Sequence, residues 1–297
     1  MESGKVMLAV RGTPVRAYRG GQGRPLVLLH GGGLDSALLT WQPAWASLTR
    51  LGHILAPDLP GYGASPLGPT VPTLPGYRDW LLDFLDAAGV RSAVVVGLSL
   101  GGGVAIQAAL DAPERVDGLL LCAPYGVSPR LPGGRAGYLA VRAPGASAMT
   151  YALLRHSDAV LRRALESLVH RPGVVDAQML RQVRELLDVP GAGAAWSRFQ
   201  QHEVRWRGPR TCWRGELSAI RAPAAFLAGE YDRSVPAVDV RTAAHRVPRG
   251  SFEMVSGAGH WLPREAPGQI GSAASRLLHE MDAGTQQHTQ TSDGRPR

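Results

Sequence analysis

The stretch that most constrains this chain runs from the apolar Ala93-Val94-Val95-Val96 through Gly97-Leu98-Ser99-Leu100-Gly101 into the helix-like residues 102–110. It predicts a strand, a sharp turn that carries a serine, and a helix. A G-x-S-x-G string recurs by chance, so its weight comes from this context. Glycine two residues to either side of Ser99 permits a strained turn and a close helix–strand approach. The turn lifts the hydroxyl clear of the sheet, and the following helix points its unpaired N–H groups and positive dipole end at the same spot. Ser99 is therefore the candidate nucleophile.

Around this feature, short apolar runs alternate with helix-length segments, the pattern of βαβ units and a mostly parallel sheet. Strands are expected over 6–10, 15–18, 26–29, 54–56, 93–96, 119–121, 224–227 and 252–255, and helices over 77–88, 102–110, 238–245 and 269–281. The first two strands, separated by Arg11-Gly12-Thr13-Pro14, read as an edge hairpin. The central runs lack polar alternation, as strands buried on both faces do. Regularity breaks after Leu121-Cys122-Ala123-Pro124 and resumes near Ile220-Arg221-Ala222-Pro223. The expected organisation is an α/β core over 1–125 and 218–284, an inserted helical cap over 126–217, and a disordered polar tail over 285–297.

The formal charge of +8 raises the question of nucleic acid, and its distribution answers it. Residues 126–217 hold fourteen arginines against seven acids, a net +7, scattered and without a nucleic-acid-binding motif. Lys5 is the only lysine, so the high pI partly reflects arginine-rich codon usage. No apolar run approaches the length of a membrane span, and the apolar Val6-Met7-Leu8-Ala9-Val10 is too short for a signal-peptide core. The two cysteines, Cys122 in an apolar run and Cys212 in an arginine-rich one, have no metal-ligand spacing. These features lead to the expectation of a cytoplasmic protein that engages neither nucleic acid nor membrane, and a serine nucleophile with its base, acid and two amides needs no cofactor or metal to act on a small-molecule substrate.

A serine nucleophile needs a base, an orienting acid and an oxyanion site. Each has a candidate at the end of a predicted strand, where open α/β sheets place their sites. His260, in Ser256-Gly257-Ala258-Gly259-His260-Trp261, follows the last strand and is the candidate base. Asp232, in Ala228-Gly229-Glu230-Tyr231-Asp232, is the candidate acid, with Glu230 a rival two residues earlier. His30-Gly31-Gly32-Gly33 follows the strand over 26–29, and its glycines free backbone N–H groups to face a pocket. The amides of Gly32 and Leu100 are the candidate oxyanion donors, and His30 itself reads as structural.

Together these segments resemble the α/β-hydrolase superfamily over nearly the whole chain except the tail. The resemblance rests on His30-Gly31-Gly32-Gly33, Asp58-Leu59-Pro60-Gly61-Tyr62-Gly63-Ala64-Ser65, the elbow at 97–101, Gly229-x-x-Asp232, Gly259-His260, and a cap where the superfamily inserts one. The chain order Ser99, Asp232, His260 is the superfamily's order. The resemblance implies an eight-stranded, mostly parallel sheet flanked by helices, with Ser99 as nucleophile, His260 as general base and acid, and Asp232 orienting the imidazole. It also implies that residues 58–65 shape a pocket wall. A serine at the elbow disfavours the branches of the fold that use aspartate there. The leading expectation is hydrolysis of small or medium carboxylic esters, lactones or thioesters through an acyl-enzyme. A second is carbon–carbon bond hydrolysis of a ring-cleavage product. The three glycines, the cap and His260-Trp261 resemble that group, whereas Leu98 stands where it tends to carry Asn, and Leu34-Asp35 where it carries Pro-Gly. A third is a ligand-binding member of the fold without turnover.

Overall fold

The computed structural model describes Met1 and residues 4–131 and 133–292, with side chains to residue 283. Eight strands form one sheet: β1 (Lys5–Val10), β2 (Thr13–Gly20), β3 (Pro25–Leu29), β4 (His53–Pro57), β5 (Ala93–Leu98), β6 (Val116–Cys122), β9 (Ala224–Gly229) and β10 (Gly250–Val255). Their spatial order is β1-β2-β4-β3-β5-β6-β9-β10. Only β2 runs against the others, pairing antiparallel with both β1 and β4. The remaining pairs are parallel, so β3, β5, β6, β9 and β10 all end at one edge of the sheet. Every expected strand is present, and the sheet is mostly parallel, as the sequence predicts.

The first hairpin is tighter than expected. Arg11 and Gly12 both have positive φ, 51° and 73°, the signature of a two-residue primed turn. Thr13 and Pro14 consequently belong to β2, facing Val10 and Ala9.

Alternate residues of the central strands enter two cores. Val27, Leu29, Val95, Leu119, Leu121 and Phe226 pack on one face with Trp80, Leu81 and Phe84 of α3 (Leu74–Ala87) and Val104 of α4 (Leu100–Asp111). Leu26, Leu28, Val94, Val96, Leu120 and Leu227 pack on the other. There they meet Trp41 of the short α1 (Ala37–Trp41), Leu48 of α2 (Trp45–Leu48), and Ile270 and Leu277 of α12 (Pro267–Ser292). Apolar cover on both faces is why these strands carry no polar alternation. Helix α3 starts three residues earlier than expected because Thr73 caps it, accepting from the Gly76 amide at 3.1 Å, and Pro75 suits its first turn.

Between β6 and β9 the described residues form five α-helices: α5 (Gly134–Arg142), α6 (Ala146–His156), α7 (Asp158–Glu166), α8 (Ala177–Leu187) and α9 (Ala194–Glu203). They are followed by a minimal ribbon, β7 (Val204–Arg205) with β8 (Gly208–Pro209), whose two-residue strands the sequence reading leaves unpredicted. Helix α10 (Ala237–Ala244) and the one-turn α11 (Leu262–Glu265) complete the core. The polar tail expected from residue 285 is helical backbone as far as Ser292, because its Thr and Gln residues contain no Gly or Pro to stop α12. Residues 293–297 lie outside the described residues.

Candidate active site

Each candidate residue sits where a parallel strand ends. Ser99 follows β5 and caps α4 with φ 50° and ψ −112°, a region a non-glycine residue rarely adopts and which costs of order 1–3 kcal/mol. The surroundings over-determine it. Its N–H donates to the Cys122 carbonyl at 2.9 Å, and its own carbonyl accepts from the amides of Tyr125 at 2.8 Å and Gly103 at 2.9 Å. Gly101 is pressed against the Leu29 and His30 carbonyls, so any side chain there would collide with β3 and its loop. The serine hydroxyl is thereby held above the sheet, at the N-terminus of α4. Helix geometry leaves the first-turn amides of α4, beginning with Leu100, without an intrahelical acceptor.

His260 follows β10. Its Nδ1 donates to Asp232 Oδ2 at 2.8 Å, which leaves Nε2 as the basic nitrogen. Asp232 follows β9 with its side chain fully buried, and its Oδ1 accepts from the amides of Ser234 at 2.7 Å and Val235 at 3.0 Å. Burial alone would push the His260 pKa down. The Asp232 charge and hydrogen bond, aided by Asp35 and Glu265, outweigh that and hold it above the ordinary imidazole value. Glu230, the rival acid, is exposed and instead accepts from the Gly257 amide at 2.9 Å.

Ser99, His260, Gly31, Gly32 and Gly33 line one cavity of about 490 Å³. Its walls are mostly apolar. Trp196 of α9 lies directly on Gly32, where a side chain could not be accommodated. His30 is outside the chemistry: its Nδ1 donates to the Gly31 carbonyl at 2.7 Å, and its Nε2 accepts from the Leu59 amide at 2.9 Å. Of the three tryptophans between β6 and β9, only Trp196 reaches this cavity. Trp213 is buried against Gly126, and Trp206 is exposed beside Tyr138.

Residues 58–65 do not line the Ser99 cavity. Asp58 is turned away, accepting from Arg16 Nε at 2.6 Å and from the amides of Ala37 at 2.9 Å and Ala64 at 3.0 Å. Residues 61–65 line a second cavity of about 610 Å³ on the far side of Gly33, Leu34 and Asp35. Cys122 is buried in β6, its thiol pushed up to about 12 by desolvation, and is an inert core residue.

Two buried acids position the site without a signal in the sequence. Asp35 accepts from the Gly31 amide at 2.7 Å, the Ser36 amide at 2.7 Å and Thr40 Oγ1 at 2.6 Å. Thr40 Oγ1 in turn accepts from Trp261 Nε1 at 2.9 Å, so one chain of bonds ties the glycine loop to the residue after His260. Burial raises the Asp35 pKa, opposed by His30 and by these hydrogen bonds. Glu265 accepts from the amides of His170 at 2.6 Å, Arg171 at 2.9 Å and Gly259 at 2.8 Å. It clamps the histidine loop to the segment after α7, beside the bond from the His260 amide to the Leu168 carbonyl at 2.8 Å. Replacing Glu265 with alanine strands three amides. The expected loss is roughly 3 kcal/mol of stability in a denaturant melt. An unchanged midpoint would show that water replaces the carboxylate at no cost.

The chain is 26% identical over 292 residues to the 2-hydroxymuconate semialdehyde hydrolase of Pseudomonas sp. strain CF600, covering 95% of this chain and 96% of the relative. Its fold matches the meta-cleavage product hydrolase from Pseudomonas fluorescens IP01 with a TM-score of 0.77 at 22% identity, over 93% of this chain and 97% of that one. It matches a thermophilic esterase from Thermogutta terrifontis with a TM-score of 0.73, also at 22% identity, over 93% and 98% of the two chains. No helix among the described residues is long and apolar enough to cross a membrane. The family profile described as alpha/beta hydrolase fold matches residues 24–267, and with the sheet order and strand-end placement above, this chain belongs to the α/β-hydrolase family.

Proposed function

We propose that the protein is a serine hydrolase that cleaves a small or medium carboxylic ester, lactone or thioester through an acyl-enzyme. The observation that carries this reading is the strained Ser99 sharing a cavity with an imidazole whose other nitrogen is bonded to a buried carboxylate. In this reading Ser99 Oγ attacks the carbonyl carbon while His260 Nε2 takes its proton. The amides of Gly32 and Leu100 hold the oxyanion, a contribution of about 3 kcal/mol for each donor. His260 then protonates the leaving alcohol or thiol and later activates the water that releases the acid. The helices of residues 126–217 act as a cap, with Trp196 as its roof over the oxyanion loop. The triad and the two amides supply all of this chemistry with the chain's own groups, and the partner is a small molecule.

Ester cleavage is favoured over carbon–carbon cleavage by the walls of the cavity. The substrates in the names of two relatives, 2-hydroxymuconate semialdehyde and 2-hydroxy-6-oxo-2,4-heptadienoate, are carboxylates. Among the described residues, Arg130 is the one arginine or lysine in this cavity's lining, and it is exposed. The carbon–carbon reading is second, supported by the near full-length similarity to the semialdehyde hydrolase. Nitrophenol release from acyl esters of graded length, beside the absorbance of a ring-cleavage product, separates the two. Ser99-dependent nitrophenol release with an unchanged ring-product spectrum is the expected result, and loss of that spectrum without ester turnover would reverse the ranking.

A further inference from the structure

We propose that Glu203 reads the far end of the substrate, and that the preferred acyl group carries a hydrogen-bond donor there, a hydroxyl or an ammonium. This rests on the ester-hydrolase reading above. Glu203 is the last residue of α9, is 1% exposed, and lines the same cavity as Ser99. Trp196, Phe199, Gln200 and Glu203 all line it, and their spacing of three, four and seven residues is that of one helix face. Helix α9 therefore works as a ruler. Trp196 lies on the oxyanion loop at Gly32, and Glu203 stands seven residues on, about 10 Å along the axis.

The two oxygens of Glu203 are used unequally. Oε2 accepts from Tyr125 Oη at 3.2 Å and from the Thr211 amide at 3.1 Å. Oε1 is buried and accepts no hydrogen bond, and the neighbouring His202 Nε2 stands 3.8 Å away, beyond bonding distance. A carboxylate is an acceptor with capacity on both oxygens, and a buried acceptor left unpaired is costly. Tyr125 also holds Ser99 through its backbone, so Glu203 Oε2 latches α9 to the nucleophile turn. That latch needs one oxygen only. The second has almost no accessible surface of its own, and a small rotation of the carboxylate brings it to a donor entering this end of the lining, beside Phe199 and Gln200.

The test uses nitrophenyl esters of plain, ω-hydroxy, ω-amino and ω-carboxy fatty acids, matched in length and taken through a graded series. A terminal hydroxyl entering a purely apolar pocket lowers kcat/KM, because its water is lost without replacement. Here kcat/KM for the ω-hydroxy or ω-amino ester is expected to exceed that of the plain ester by about 10- to 100-fold at one chain length. The ω-carboxy ester is expected to be the poorest. In Glu203→Gln the amide oxygen can keep the latch while the NH2 group turns toward the substrate. The preference should then reverse in favour of ω-oxo over ω-hydroxy esters.

A wild-type ratio at or below one at every length overturns the proposal, as does a preference that survives Glu203→Gln. If the variant does not fold, the wild-type length dependence decides alone. If no ester is turned over, the ester reading fails separately. Calorimetric titration of Ser99→Ala with ω-hydroxy against plain acids then decides whether Glu203 binds a donor: tighter binding of the hydroxy acid supports it, and equal or weaker binding overturns it.

Discussion

Replacing Ser99 with alanine is expected to lower kcat by about six orders of magnitude while the protein stays folded. Alanine fits the same space and carries the same positive-φ strain as serine, so the melting temperature should change little. The attacking oxygen is gone, and what remains is the oxyanion site and the binding energy of the cavity. His260→Ala should cost about as much, because a hydroxyl without its base is a poor nucleophile at neutral pH. Ser99→Ala combined with His260→Ala should then be no slower than either alone, since groups that act as one unit lose their effect together. Purified variants compared by initial rates and thermal melts provide the check. Additive losses in the double variant would mean that the two residues do not share one step.

Asp232→Asn is expected to reduce turnover by about four orders of magnitude near neutral pH, and to move the acidic limb of kcat/KM to lower pH. The direction follows from the charges around His260. Its neutral form is the base, so activity rises with pH through the imidazole pKa, which the Asp232 carboxylate holds above the ordinary value. Removing that charge leaves burial as the dominant influence, and burial disfavours the imidazolium. The amide can also offer Nδ1 a donor instead of an acceptor, which places the proton on Nε2 and takes away the free base. Asp232→Asn therefore loses rate and shifts its limb downward. A limb that moved upward, or stayed in place with full activity, would transfer the orienting role away from Asp232. Glu230 is an unpromising substitute, being exposed and engaged with the Gly257 amide.

What the sequence made legible was whatever repeats a local rule. The central strands were readable because continuous apolar runs such as Ala93-Val94-Val95-Val96 announce strands buried on both faces, and the edge hairpin was readable from the turn residues Arg11-Gly12 between two short apolar segments. The positions of Ser99, Asp232 and His260 were readable because each lies on the loop that follows a predicted strand. Illegible were the features that depend on distant chain segments meeting. Asp35 looks like any acid after a glycine loop until Thr40 and Trp261 close a chain of hydrogen bonds on it. Glu265 looks like a surface residue of a short helix until the amides of His170 and Arg171 arrive from the segment after α7. The same limit explains the tryptophans. Trp196, Trp206 and Trp213 are equivalent in a one-dimensional reading, and only the packing of α9 on the glycine loop selects Trp196. The loop over 58–65 does shape a cavity wall, but that of the second cavity and not of the one at Ser99. Its motif marks the strand it follows, whereas the direction Asp58 faces is decided by Arg16 and the start of α1.

The central claim is that Ser99 is a nucleophile activated by His260, and covalent labelling tests it most directly. The native protein, treated with a reactive alkyl phosphonate ester and weighed intact, should gain one adduct, and peptide mapping should place it on Ser99. His260→Ala should label far more slowly under the same conditions, because the hydroxyl has lost its base. A folded protein that gains no adduct, or carries it on another residue, or labels equally fast without His260, would contradict this account of the site.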